Sequence, residues 1–218
     1  LDRISLETVL AAAGSPDTSD FISGEISGKA RLTGLPGAPR GEAQINLLEG
    51  KIADQPAQTA TANLKFDSKQ ALLESLEVRL PKTHLTASGS LNLEDYVFQA
   101  KGKADQIALD SLAEAFELKD TIVEGSADAD FQVSGKILKS DQQRKQPELD
   151  WESLKVELTA LGKNVRVNGR DTGELRLTAH TSPGGRLEAE LVTGILAVMT
   201  QDKSFKPEIL KGSIELRK

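Results

Sequence analysis

Two histidines, one pair of aspartates and one turn serine are the side chains whose type and spacing invite a chemical reading. His84 stands between Thr83 and Leu85, and His180 follows Ala179, each on the polar side of an alternating pattern. Neither has a companion at ligand spacing, so each reads as a solvated imidazole. Asp128 and Asp130 lie two apart, hence on one face of a strand, as a carboxylate pair or a metal site would require. Ser126 and Gln132 extend that face with more polar groups, which makes a solvated surface the expectation. Ser182 sits in a turn with no candidate base near it in sequence. Gly24-x3-Gly28 and Gly34-x2-Gly37 lack the helix start and the lysine of a phosphate-cradling loop. Hydrolytic, metal-dependent and nucleotide-binding chemistry all lack their residues. The chain is expected to be no enzyme and to need no cofactor or metal.

Composition narrows the class further. At 218 residues the chain is long enough to bury a core, as one long domain or two units. A net charge of −6 and a pI near 5.1 argue against a nucleic-acid partner, which needs a clustered basic face. Cysteine is absent, which excludes disulfides and thiol chemistry. No apolar run reaches the ~18 residues that a membrane-spanning helix needs. No signal-peptide pattern is present, and the chain opens on Leu1-Asp2-Arg3 as a fragment of a longer polypeptide would.

What the sequence does carry is alternation. In residues 21–34, Ile26, Gly28, Ala30, Leu32 and Gly34 fall on one side, and Ser27, Lys29, Arg31 and Thr33 on the other. That period of two marks a strand with one dry and one wet face. The pattern recurs in Ala43, Ile45 and Leu47; in Ala60, Ala62, Leu64 and Phe66; and in Leu72, Leu76, Val78 and Leu80. Residues 83–104 read as a hairpin. Leu85, Ala87, Gly89, Leu91 and Leu93 run out, Glu94-Asp95 turns, and Phe98, Ala100, Gly102 and Ala104 run back. Later strands carry Phe131 and Val133; Trp151, Leu154, Val156 and Leu158; Leu175 and Leu177; and Leu187 and Leu191. Turn chemistry punctuates them at Pro36-Gly37-Ala38-Pro39, Asn168-Gly169 and Pro183-Gly184-Gly185, and Ser140 to Gln146 reads as a polar loop.

Two short helices are expected, near 5–13 and 108–117, and they belong to a repeat. Ile107-Ala-Leu-Asp-Ser-Leu112 matches Ile4-Ser-Leu-Glu-Thr-Val9, 103 residues apart. Gly125 and Gly135 flank a strand as Gly24 and Gly34 do, 101 residues apart. Two landmarks in the same order indicate a repeat of about 100 residues. The expected units are therefore 1–106 and 107–218, each a meander of antiparallel strands opened by a short helix. The fold class is mainly β. A closed β-sandwich and an elongated, curled, open sheet with an aliphatic trough both fit the periodicity.

A short helix, an Ile-Ser-Gly-x3-Gly-x5-Gly strand, a Pro-containing turn and a Gly-x-Ala-x-Ile-x-Leu strand together resemble the repeating unit of the AsmA-like superfamily, its TamB branch in particular. Leu-Thr-Ala-Ser-Gly-Ser-Leu-Asn-Leu at 85–93 resembles it too. The likeness covers most of 4–110 and, more loosely, 107–180; the Ser140–Pro147 insertion departs from it. The resemblance implies an inner-membrane-anchored protein of a Gram-negative-type envelope, whose periplasmic body is an open groove (a "β-taco") that carries phospholipid acyl chains between the membranes. It also implies an alternative: a scaffold for outer-membrane protein assembly with a barrel partner of the TamA type. A plain structural repeat with a closed core is the third reading. In the groove reading, Leu32, Ile45, Leu47, Leu64, Phe66, Leu76, Val78, Leu85, Leu91, Leu93 and Phe98 would line the first half. Phe131, Val133, Leu154, Val156, Leu175, Leu177, Leu187 and Leu191 would line the second.

Overall fold

The computed structural model describes residues 3–8, 22–35, 38–52, 55–110, 122–138, 148–173, 175–182, 186–193 and 208–215. Strands make up 84% of them and form one antiparallel sheet that is open, not closed into a barrel. In chain order the strands are β1 (Ile4–Ser5), β2 (Ile22–Leu35), β3 (Ala38–Ile52), β4 (Gln55–Pro56), β5 (Thr59–Phe66), β6 (Gln70–Arg79) and β7 (His84–Asn92). They continue as β8 (Val97–Ala108), β9 (Val123–Leu138), β10 (Glu148–Val167), β11 (Arg170–Asp171), β12 (Leu175–Ser182), β13 (Arg186–Thr193) and β14 (Glu208–Glu215). Apart from the two-residue strands β4, which pairs with β3, and β11, which pairs with β10, sheet order follows chain order. The chain is thus a meander, in which each strand pairs with the next.

Two compact units emerge. One comprises Leu1–Gly102 with Ser134–Asp150, the other Lys103–Val133 with Trp151–Lys218. Each follows the turn chemistry read above. In the first, Leu35 stands opposite Ala38 across β2 and β3, and the Asn92 side chain accepts the Glu94 N–H at 2.8 Å to shape the β7–β8 turn. In the second, Asn168 and Gly169 both take positive φ (51° and 75°) between β10 and β11, the two-residue turn that Asn-Gly favours. Of the two expected helices, Leu6–Thr8 and Leu109–Asp110 are helical, while Ile4–Ser5 and Ile107–Ala108 are strand. The remaining helix positions, the Ser140–Gln146 loop, the turn at 183–185 and the apolar Ile195–Met199 run lie outside the described residues.

The same sequence of backbone states occurs twice. Arg3 (φ 43°) precedes the strand pair Ile4–Ser5 and a helix start at Leu6; Gln106 (φ 58°) precedes Ile107–Ala108 and a helix start at Leu109. The third residue of β2 is Gly24 (φ 134°), and the third residue of β9 is Gly125 (φ 111°). Near each stands a non-glycine residue in the left-handed region, Glu49 (φ 46°) and Asn164 (φ 52°) respectively. Both glycines are required twice over. A Cβ on Gly24 would come within 2.5 Å of Gly50 Cα, and one on Gly125 within 2.7 Å of the Asn164 carbonyl oxygen. Their φ values are ones that L side chains rarely adopt. Gly34 also has positive φ (100°), a state that Gly135 does not share.

At Gly24 the β2–β3 register shifts, and the first helical turn reaches it: Glu7 Oε1 accepts the Gly24 N–H at 3.1 Å. That hydrogen bond and the Ser5 hydroxyl on the other oxygen hold the Glu7 carboxyl below its ordinary range, with Ser5 the larger cause. Gly24→Ala and Gly125→Ala should each destabilise the fold by about 2 kcal/mol or more. Gly169→Ala has open space around its Cβ and only a positive φ to strain it, so it should cost about 1 kcal/mol. Chemical-denaturation midpoints of the three variants check the order.

Candidate apolar face and its polar reverse

Strand register builds one continuous apolar face in the first unit. Across β2, β3, β5, β6 and β7 it aligns Ile26–Leu47–Ala60–Val78–Leu85, then Gly28–Ile45–Ala62–Leu76–Ala87. The next rows are Ala30–Ala43–Leu64–Leu73–Gly89 and Leu32–Gly41–Phe66–Ala71–Leu91. Large and small residues are interspersed along each row, and the small ones are filled by neighbours: a Cβ on Gly41 would meet the Phe66 ring at 2.6 Å, and one on Gly89 would meet Ala100 Cβ of β8 at 3.1 Å. Of the expected lining, Leu32, Ile45, Leu47, Leu64, Phe66, Leu76, Val78, Leu85 and Leu91 all fall in these rows. Phe98 shares the parity of Ala100 in β8 and is half-buried. Leu93 lies just past β7, half-buried, and donates its N–H to the Lys69 carbonyl at 2.7 Å.

One expected position is corrected. Leu72 pairs with Lys65 and Ser90, on the polar face. Ala71 and Leu73 take the apolar places instead, because β6 carries a bulge: between the pairs Leu73–Gly89 and Leu76–Ala87, two residues on β6, Glu74 and Ser75, oppose one on β7, Ser88. The extra residue flips the parity of everything before it. The doublets Leu72-Leu73 and Glu74-Ser75 are the sequence signal of that slip, since perfect alternation contains neither.

In the second unit, register aligns Leu158–Ala179–Ala189 and Ala160–Leu177–Leu191 across β10, β12 and β13. Leu154 and Val156 share the parity of Leu158, and Leu187 stands opposite Thr181, whose hydroxyl donates to the Val156 carbonyl at 3.3 Å. Leu175 pairs with Thr193, and its Cβ lies 2.8 Å from where a Cβ on Gly162 would stand. Along β9, Phe131 and Val133 continue the side that carries the buried Ala127 and Ala129.

Exposure on this face is unusual. Among the described residues the buried apolar side chains are only valines and alanines: Val78, Ala104, Ala108, Ala127, Ala129, Val165, Val167 and Ala179. No leucine, isoleucine or phenylalanine whose side chain is described is buried, although these types dominate ordinary interiors. Leu32, on the outermost row at the β2 edge, is 68% exposed. The apolar face is therefore half-covered by its own side chains and otherwise uncovered among the described residues.

The polar reverse accounts for the candidate reactive groups. Asp130 pairs with Lys103 at 2.7 Å, and Asp128 with Lys163. Asp128 also accepts the Gln106 N–H at 3.0 Å. Two aspartates each tied to a different lysine form cross-strand ion pairs, and no group of three or more ligating side chains occurs among the described residues. His84 Nε2 is shielded from water and lies 3.3 Å from Glu77 Oε1, but off the hydrogen-bond direction, so this contact attracts only when the imidazole is protonated. His180 faces Glu188 at 3.7 Å. Ser182 donates to the Arg186 carbonyl at 3.2 Å.

The Lys163 ammonium, then the Gln106 amide, hold the Asp128 carboxyl below its ordinary range. A carboxyl depressed in the folded state stabilises above its unfolded pKa, and that contribution is lost as pH falls through the folded value. Asp128→Asn should therefore lower stability at neutral pH by no more than about 1 kcal/mol, since surface pairs contribute little. The difference from the parent should shrink to nothing once the pH falls below the folded-state value, as a melting series in acid would record. No known protein family, curated protein or solved structure matches this chain.

Proposed function

We propose that the protein is a lipid-handling module: its aliphatic face takes phospholipid acyl chains and lets them slide between membranes. The observation that carries this reading is the extent of half-covered apolar surface. Four rows two residues apart and five strands side by side span roughly 20 Å by 19 Å, or on the order of 400 Å², in the first unit. A footprint of that size matches the largest apolar patch of a typical monomer, about 300–600 Å², which is often functional. Its residues are aliphatic and lack polar anchors, which suits an acyl chain, whose transfer gains ~0.8 kcal/mol per CH₂ without any directional contact. The sequence resemblance to the AsmA-like superfamily supports the same reading. In this proposal, which follows what the resemblance implies, the module is a binding segment of an inner-membrane-anchored protein in the periplasm of a Gram-negative-type envelope.

A second reading rests on the ends of the sheet. Among the described residues, β1 covers β2 only at Glu25 and Ile26, and β14 pairs on one side only. Free edges of this kind can accept an added strand, as a scaffold for outer-membrane proteins with a TamA-type partner would require.

Organic extracts of the purified protein should contain phospholipid by mass spectrometry. Leu85→Arg and Leu91→Arg should melt close to the parent and lose that lipid, because a half-exposed guanidinium can reach water while its stem lies along the face. Val78→Arg, at 6% exposure, should cost several kcal/mol and unfold the protein. Ser90→Arg, on the polar side, should change neither property. A lipid-free parent, with Leu91→Arg melting as low as Val78→Arg, would indicate a closed core and end the lipid reading. A lipid-free parent that tolerates Leu91→Arg would favour the strand-pairing scaffold.

A further inference from the structure

A shallow depression of about 560 Å³ lies at the Leu32–Phe66 end of the first unit. Arg31, Arg40, Glu42 and Lys65 of the polar face line it, together with Phe66 from the outermost apolar row. Register sets its geometry. Arg31 stands opposite Glu42, Arg40 opposite Thr33, and Glu42 opposite Lys65. Arg31 and Arg40 are therefore diagonal neighbours on adjacent strands, about 7–8 Å apart, within reach of a shared ligand.

The third cation of the depression, Lys65, is bound to Glu74 at 2.6 Å. Neither Arg31 nor Arg40 has a carboxylate within ion-pair distance among the described residues. Asp67, which also lines the depression, is engaged by its own turn, accepting the N–H groups of Lys69 and Gln70 at 2.7 and 2.9 Å. These bonds, and more weakly Arg40, keep its carboxyl below the ordinary range. Glu42 and Asp67 are the two carboxylates that a bound anion would feel, and Asp67 already draws on the charge of Arg40.

We infer that Arg31 and Arg40 form a binding site for a phosphate group. Each guanidinium offers two parallel N–H donors to a tetrahedral oxyanion, the geometry for which arginine surpasses lysine. The Gln70 side-chain amide at the rim can add a neutral hydrogen bond, whereas the Thr33 hydroxyl donates to the Arg40 carbonyl at 3.4 Å. The phosphate could be free, or it could be the phosphodiester of a lipid whose chains lie along the apolar rows that end at Phe66. The second source rests on the lipid reading above; the site itself does not.

The test uses the full chain and three probes: inorganic phosphate, glycerol 3-phosphate and dihexanoylphosphatidylglycerol. Amide shifts of Arg31, Leu32, Thr33, Arg40, Gly41 and Glu42 are followed by NMR at constant ionic strength set with chloride. Phosphate should shift these amides saturably, and Arg31→Gln and Arg40→Gln should each weaken binding by about fivefold or more. Glu42→Gln should tighten it, because the change removes a repelling charge. Shifts that chloride reproduces, or that survive the double arginine variant, would overturn the site. If the short-chain lipid binds more tightly than glycerol 3-phosphate, and a Leu91→Arg change removes only that advantage, the phosphate is a headgroup. Equal binding of the two assigns the site to free phosphate, and the lipid reading is then judged on its extracts alone.

Discussion

Each strand of this chain has to find its stability in the strand beside it. The buried apolar side chains among the described residues are valines and alanines, so little of the usual driving force comes from a closed interior. What remains is the ladder of backbone hydrogen bonds and the cross-strand contacts that it aligns. Those contacts depend on complementary volumes. Gly41 leaves room for the Phe66 ring, and Gly89 for Ala100, so a large residue on one strand settles over a small one on the next. Shifting any strand by one residue would set the apolar rows against the charged ones, and this fixes the register along the whole meander.

The repeated irregularities follow from the same constraint. Long strands such as β9 and β10 twist, and a sheet built from them has to bend somewhere. Gly24 and Gly125 supply the bend near the start of a strand, where a left-handed residue, Glu49 or Asn164, stands close by and backbone approaches backbone too closely for any Cβ. Arg3 and Gln106 turn the chain into the preceding two-residue pairing with the same left-handed φ. The bulge in β6 is a third device, and it changes which face its leucines serve.

The division of labour between the faces gives functional meaning to the fold. The polar side spends its charges on neighbouring strands, as in Lys65–Glu74, Lys103–Asp130 and Lys211–Glu190, which leaves its carboxylates and histidines engaged in the sheet rather than gathered around a substrate. Arg31 and Arg40 stand outside that pattern. The apolar side offers breadth without directional contacts.

Much of this was legible in the chain itself. Period-two alternation determined that the protein is β-rich, which residues of β2, β3, β5 and β7 share a face, and that the histidines and Asp128–Asp130 lie on the polar one. Alternation is local, and the pleat converts it directly into facing. The spacing of Ile4 and Ile107, and of Gly24 and Gly125, anticipated the recurrence of backbone states, because a glycine forced by φ leaves its mark in sequence. Tertiary structure alone decided the rest. It placed Leu72 on the polar face through a bulge in β6, tied each aspartate to a different lysine, and set Arg31 diagonal to Arg40. It also decided that the sheet stays open. An alternating strand buries its apolar side equally well in a sandwich or along a trough, and only the path of the whole sheet determines whether anything comes to cover it.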